Sequence, residues 1–206
     1  MISKTKKHYF FMRNILDCLK FIKQNRNYIY FSIILFSFFL LIALFLPIPN
    51  QIEEALKKIL EELLIKTSGL SGVGLTAFIF KNNLTASIIG LFGGLFFGII
   101  PVILIVSNGY VIGYVIKSLI LHLGILQGTL SLWKLLPHGI FELPAVFISI
   151  GIGLRLGFSL MSALNNRDFI ILWQDLKSSI QVLFFIVIPL LFLAAIIEGS
   201  LMSLLG

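Results

Sequence analysis

The chain has 206 residues, of which 58% are hydrophobic and 12% charged, with a mean hydropathy of +1.04. Soluble domains carry charge on about a quarter of their residues, and a domain of this length leaves too much surface in water to hide so many apolar side chains, so the composition is that of a membrane protein. One Cys, three His and nine acidic residues exclude disulfide scaffolds, zinc ribbons and acidic disordered tails, and the formal charge of +7 takes its meaning from where the basic residues stand.

Seven of the sixteen basic residues (Lys4, Lys6, Lys7, Arg13, Lys20, Lys23 and Arg26) precede the first long apolar run, opposed there only by Asp17. Residues 1–27 therefore read as a basic cytoplasmic tail, retained by the positive-inside rule and attracted to anionic lipid. Tyr28–Leu46 is an uncharged run of membrane-spanning length, ended by Pro47 and Pro49. It is too long for a signal-peptide core, and no small-residue cleavage pattern follows it, so a retained anchor is expected.

Residues 47–83 read as an extracytoplasmic loop. Within it Ile52, Leu56, Ile59, Leu60, Leu63 and Leu64 recur at helical spacing opposite Glu53, Glu54, Lys57, Lys58, Glu61 and Glu62, which predicts an amphipathic helix over 51–66. Its apolar face is expected on its own bundle, with the outer leaflet or a partner as alternatives. The glycine-rich stretch 68–74 leads to a second apolar stretch, Leu75–Phe80.

Four further spans are predicted at about 84–106, 109–125, 139–161 and 179–198, giving an all-α bundle of about five spans. The third is interrupted by Lys117 and His122, which leaves a re-entrant path open. Asn108 and Gly109 tolerate left-handed backbone, and Ser107-Asn108-Gly109 is expected to turn span two back into span three. Gly90, Gly94, Gly98, Gly109 and Gly113 at four-residue spacing suit close helix packing, as do Gly151, Gly153 and Gly157, although a pore lined by glycine backbone would read the same way. Pro101, Gly139 and Pro144 are candidate hinges. The short piece 165–177 is expected to lie at the cytoplasmic interface. Nine basic residues on the inner segments against five on the outer ones place the N-terminus in the cytoplasm and, with five spans, the C-terminus outside.

A charge at the bilayer centre costs about 2.5 to 3.5 kcal/mol even on insertion scales, so each intramembrane ionisable group needs a partner or a purpose. His138 and Glu142 stand one helical turn apart, with Pro137 suited to a first turn and Pro144, which lacks an N–H, freeing the carbonyl near Ile140 to need another donor. Arg155 lies about 20 Å further along a helix, so it needs a partner from another span or snorkels to the cytoplasmic end. The expected polar cluster is His138, Glu142 and Glu198 near the outer surface, joined by Lys117 or His122. Arg155, Asn82, Asn83 and Asn108 complete the candidate functional polar residues. No zinc-protease helix, phosphate loop or nucleophile with a recognisable partner is present, so neither catalysis nor a metal or cofactor is expected.

The run Pro137-His138-Gly139-Ile140-Phe141-Glu142-Leu143-Pro144-Ala145 resembles the stage II sporulation protein M family of integral membrane proteins. Asn82-Asn83, Gly98-Ile99-Ile100-Pro101, Asn108-Gly109 with Gly113, and the glycines of span four fit the same pattern over roughly residues 78–198. The resemblance implies a multi-pass, all-α membrane protein, similar in endospore formers to the membrane-embedded partner of cell-wall-degrading proteins. Two readings follow. One is a non-enzymatic scaffold in the cell membrane whose partners are lipid and other membrane or envelope proteins, with self-association compatible and no role for nucleic acid. The other is a small transporter, channel or permease-like subunit using His and Glu in broken helices.

Overall fold

The computed structural model describes residues 14–70, 72–132 and 136–205, with side chains described except at 129–132, 136–138 and 198–205. The described residues are helical almost throughout: α1 (residues 14–24), α2 (Arg26–Phe45), α3 (Asn50–Thr67), α4 (Val73–Phe92), a tight 3₁₀ turn at Gly93–Leu95, α5 (Ile99–Leu132), α6 (Leu136–Asn166), α7 (Ile170–Val182), a π-helical turn at Leu183–Val187 and α8 (Ile188–Leu205). Among the described residues, five stretches are long and apolar enough to cross a bilayer: Arg26–Phe45, Val73–Leu95, Ile99–Gly128, Gly139–Asn166 and Ile170–Ile197. The number of spans is as expected from sequence, but the boundaries of four of them move.

The largest correction concerns spans two and three. Residues 84–106 do not form one helix, because the chain reverses at Gly93–Gly98, where Phe97 (φ 55°) and Gly98 (φ 76°) adopt left-handed backbone. Pro101 then sits in the first turn of α5, where its missing N–H costs nothing. The expected reversal at Ser107-Asn108-Gly109 is instead helix interior, and the stretch Leu75–Phe80 belongs to span two. α5 is not re-entrant at Lys117: its first 25 residues, 99–123, would measure about 37 Å, longer than the hydrocarbon core of about 30 Å. Only at Gly124 (φ 79°, ψ 164°) does it double back, bringing Gly128 against Ile120.

Two helix pairs run parallel, and glycine explains both. A Cβ on Gly109 would collide with the Phe36 backbone and one on Gly113 with that of Leu40, so α5 lies along α2 in the same direction. Gly90 on α4 packs against Ile150 and Gly153, and just past the end of α4 Gly94 abuts Gly153 and Gly98 approaches Gly157, so α4 lies along α6 in the same way. Small residues let helix backbones approach where lipid supplies no hydrophobic drive between them. α6 also runs antiparallel to α2, where a Cβ on Gly151 would stand 2.8 Å from the Ile29 Cα, and it is the hub: 61% of its spanning window is buried, against 22% to 33% for the other four.

Residues 14–24, expected as tail, form a helix with Cys18 buried in the same apolar cluster as Leu156, Leu172 and Val182, while Lys20 and Lys23 stay exposed. Asn25 separates α1 from α2, its side-chain amide donating to the Phe21 carbonyl at 2.9 Å. The last span begins at Ile170, nine residues before its expected start, and Pro189 is accommodated by the π-helical turn before it, which displaces the carbonyl its ring would strike. α6 continues through Pro144.

Candidate functional site

The polar residues separate to opposite ends of the bundle. At the end where α2 begins, Arg155 on α6 meets Asp175 on α7: its Nε donates to Asp175 Oδ2 at 2.9 Å. The Ser159 hydroxyl donates to the same oxygen at 2.5 Å, and the Tyr28 hydroxyl lies in range of the guanidinium. Tyr28 is itself held by the Phe158 ring, 5.5 Å away between centroids. The residues follow from helix geometry. Arg155 and Ser159 are four apart and share a face of α6, and α7 returns antiparallel after a sharp turn. In that turn Arg167 adopts φ 53° and the Asp168 carboxylate accepts the Ile170 N–H at 2.9 Å. The partner that Arg155 requires therefore comes from a segment expected to be an interfacial loop, and snorkelling is not needed. Asp175 is buried, and Ser179 donates back to its carbonyl at 2.6 Å. Chemically this is a charge-assisted clamp between the last two spans.

At the other end, Lys117 Nζ donates to the Leu46 carbonyl at 2.6 Å, satisfying one of the orphan acceptors at the α2 C-terminus. His122 Nδ1 sits 2.8 Å from the Ser118 carbonyl on its own helix and is exposed. Both bonds go to backbone carbonyls. Glu142 is half-buried on α6, about 20 Å from Arg155 along the helix, so Arg155 does not share a site with it. The side chains of His138 and Glu198 lie outside the described residues, and so does the expected cluster of the two with Glu142.

The asparagines bond locally. Asn108 Nδ2 donates to the Leu104 carbonyl at 2.9 Å within α5, and Asn82 Nδ2 reaches Asn83 Oδ1 at 3.5 Å. Of the expected packing residues, Gly94, Gly109 and Gly113 stand at backbone contacts, Gly98 makes the reversal, and Gly139 has room, since a Cβ there would lie 3.5 Å from Leu143 Cδ1. Pro101 is fully buried and Pro144 exposed.

α3 stands apart from this framework. Of its expected apolar face, Leu56 is buried and Leu60 and Leu63 are half-buried, while Ile52, Ile59 and Leu64 are 43% to 68% exposed, so half of that face is not covered by its own bundle. Lys57–Glu53 at 2.8 Å and Lys66–Glu62 at 3.3 Å brace the opposite face.

Five apolar spans packed through glycine around a central helix, with Arg155 and Asp175 paired between the last two, define a polytopic α-helical membrane protein. The stage II sporulation protein M family matches residues 32–201, and the chain belongs to it. Two similar chains come from Methanocaldococcus jannaschii. The uncharacterized protein MJ0793 is 32% identical over 121 residues, 58% of this chain and 66% of that protein, and the uncharacterized protein MJ0706 is 32% identical over 126 residues, 59% of this chain and 53% of that protein. The chain thus spans about two thirds of the first and about half of the second. No solved structure matches it.

Proposed function

We propose that this protein is a non-enzymatic membrane scaffold that recruits or positions partner proteins, with α1 and the α2 start in the cytoplasm and α3 outside. The observation that supports it best is α3, an amphipathic helix held to the bundle through Leu56 while Ile59, Leu64 and Ile65 remain uncovered. A packed bundle carrying an amphipathic helix with an uncovered apolar flank is what positioning a partner requires. The basic residues gathered before the first span support the orientation.

Purification from cells in mild detergent tests the reading. A defined partner should co-purify with the wild type and be lost with the double variant Ile59→Asp, Leu64→Asp. Recovery of the wild type alone, together with solute flux in reconstituted liposomes, overturns it.

A further inference from the structure

Between α2 and α6 runs a groove of about 820 Å³, within the size range of small-ligand pockets. Its walls are apolar, formed among others by Ile29, Ile33, Ile140, Leu143 and Phe147, and two cations, Lys23 and Arg26, stand at one end. Those same two residues line a second hollow, of about 530 Å³, with Lys20, Gln24 and Asn27. Among the described residues, no acidic side chain lines either one. A greasy slot and a cationic cup that share two residues fit a molecule with a chain at one end and negative charge at the other.

We propose that this composite groove is a specific binding site for one anionic phospholipid, an acyl chain lying between α2 and α6 and the phosphate resting on Lys20, Lys23 and Arg26. The position is suited to it. Arg26 opens the first span, so its guanidinium stands at headgroup level while Ile29 and Ile33, one and two turns on, lie in the hydrocarbon. α1 carries Lys20 and Lys23 on its exposed side and is anchored by Cys18 on the other, which fixes the ammonium groups instead of leaving them on a mobile tail. Each basic group near an anionic surface adds to lipid attraction, and fixing three of them around one phosphate turns a general attraction into a site.

The test is native mass spectrometry of the full chain released from nanodiscs of equal phosphatidylglycerol and phosphatidylcholine, with thermal shift in each pure lipid. One phosphatidylglycerol should be retained per chain, with phosphatidylcholine at least tenfold less. Lys23→Gln with Arg26→Gln should abolish that preference. Ile140→Trp, at a 61% exposed groove position, should lower retention of both lipids without lowering the melting temperature in detergent. Equal retention of the two lipids by the wild type overturns the proposal. So does full displacement by soluble glycerophosphoglycerol, which would show a phosphate site with no use for the groove.

Discussion

Arg155 and Asp175, twenty residues apart in sequence, pair at 2.9 Å across the hairpin that joins the last two spans, and Ser159 completes the coordination of the carboxylate. The arginine side chain is 31% exposed and the aspartate 11%, so the pair is neither solvated enough to be negligible nor buried enough to be a net burden. Asp175→Ala should destabilise the protein by about 1.5 to 3 kcal/mol, the range for losing a hydrogen bond to a charged group. Combining it with Arg155→Met should recover part of the loss, because the stranded cation is then gone. Chemical denaturation in detergent micelles measures both, and equal stability of Asp175→Ala and the wild type refutes the clamp.

Gly94, in the turn that ends α4, and Gly153 on α6 leave no room for a side chain between them. Gly94→Ala should cost about 1 to 3 kcal/mol, since the obstructing atoms are backbone and cannot rotate away. Gly139→Ala, where the nearest atom is a leucine methyl at 3.5 Å, should be neutral or slightly stabilising. Melting temperatures of the two variants under one condition decide the matter.

Lys117→Met removes the donor on the Leu46 carbonyl, and the last turn of α2 should fray, with faster amide exchange at residues 43–46 and a loss of about 0.5 to 1.5 kcal/mol. Unchanged exchange there would show that water replaces the ammonium at no cost.

Burial and the neighbouring Asp17 carboxylate raise the Cys18 thiol above its ordinary value of 9.0. The folded state thus prefers the neutral thiol. Its contribution to stability is complete below pH about 9 and fades as pH rises through the higher folded value. Maleimide labelling at pH 7 should be slow in the folded protein and fast after SDS denaturation, and stability of the wild type relative to Cys18→Ala should decline above pH 9. Rapid labelling of the folded chain would place α1 off the bundle.

The number of spans was legible because hydropathy counts apolar length. Their limits were not, because hydropathy is blind to direction: residues 84–106 are uniformly apolar, yet the chain turns round inside them. Gly93 to Gly98 serve both packing and reversal, and Pro101 in a first helical turn was the cue that a helix starts just before it. Asn108-Gly109 has the chemistry of a turn, but Gly109 is there to admit the Phe36 backbone, a demand set by a helix over seventy residues away. Asp175 was missed because its segment, 165–177, mixes charged and apolar residues and reads as an interfacial piece outside the spans, although Arg155 left open a partner from another helix.

The parallel pairing of α2 with α5, and of α4 with α6, has a consequence for biogenesis. Helices that run in the same direction cannot be sequence neighbours in a chain that crosses back and forth, so neither glycine seam can close between consecutive spans as they leave the ribosome. The first span must wait in lipid until the third has been inserted, and the second until the fourth. That fourth span, α6, carries Arg155 and is the most enclosed of the five. Lateral assembly therefore follows insertion as a separate stage, and α6, around which the other spans gather, is the fourth of the five to be synthesised.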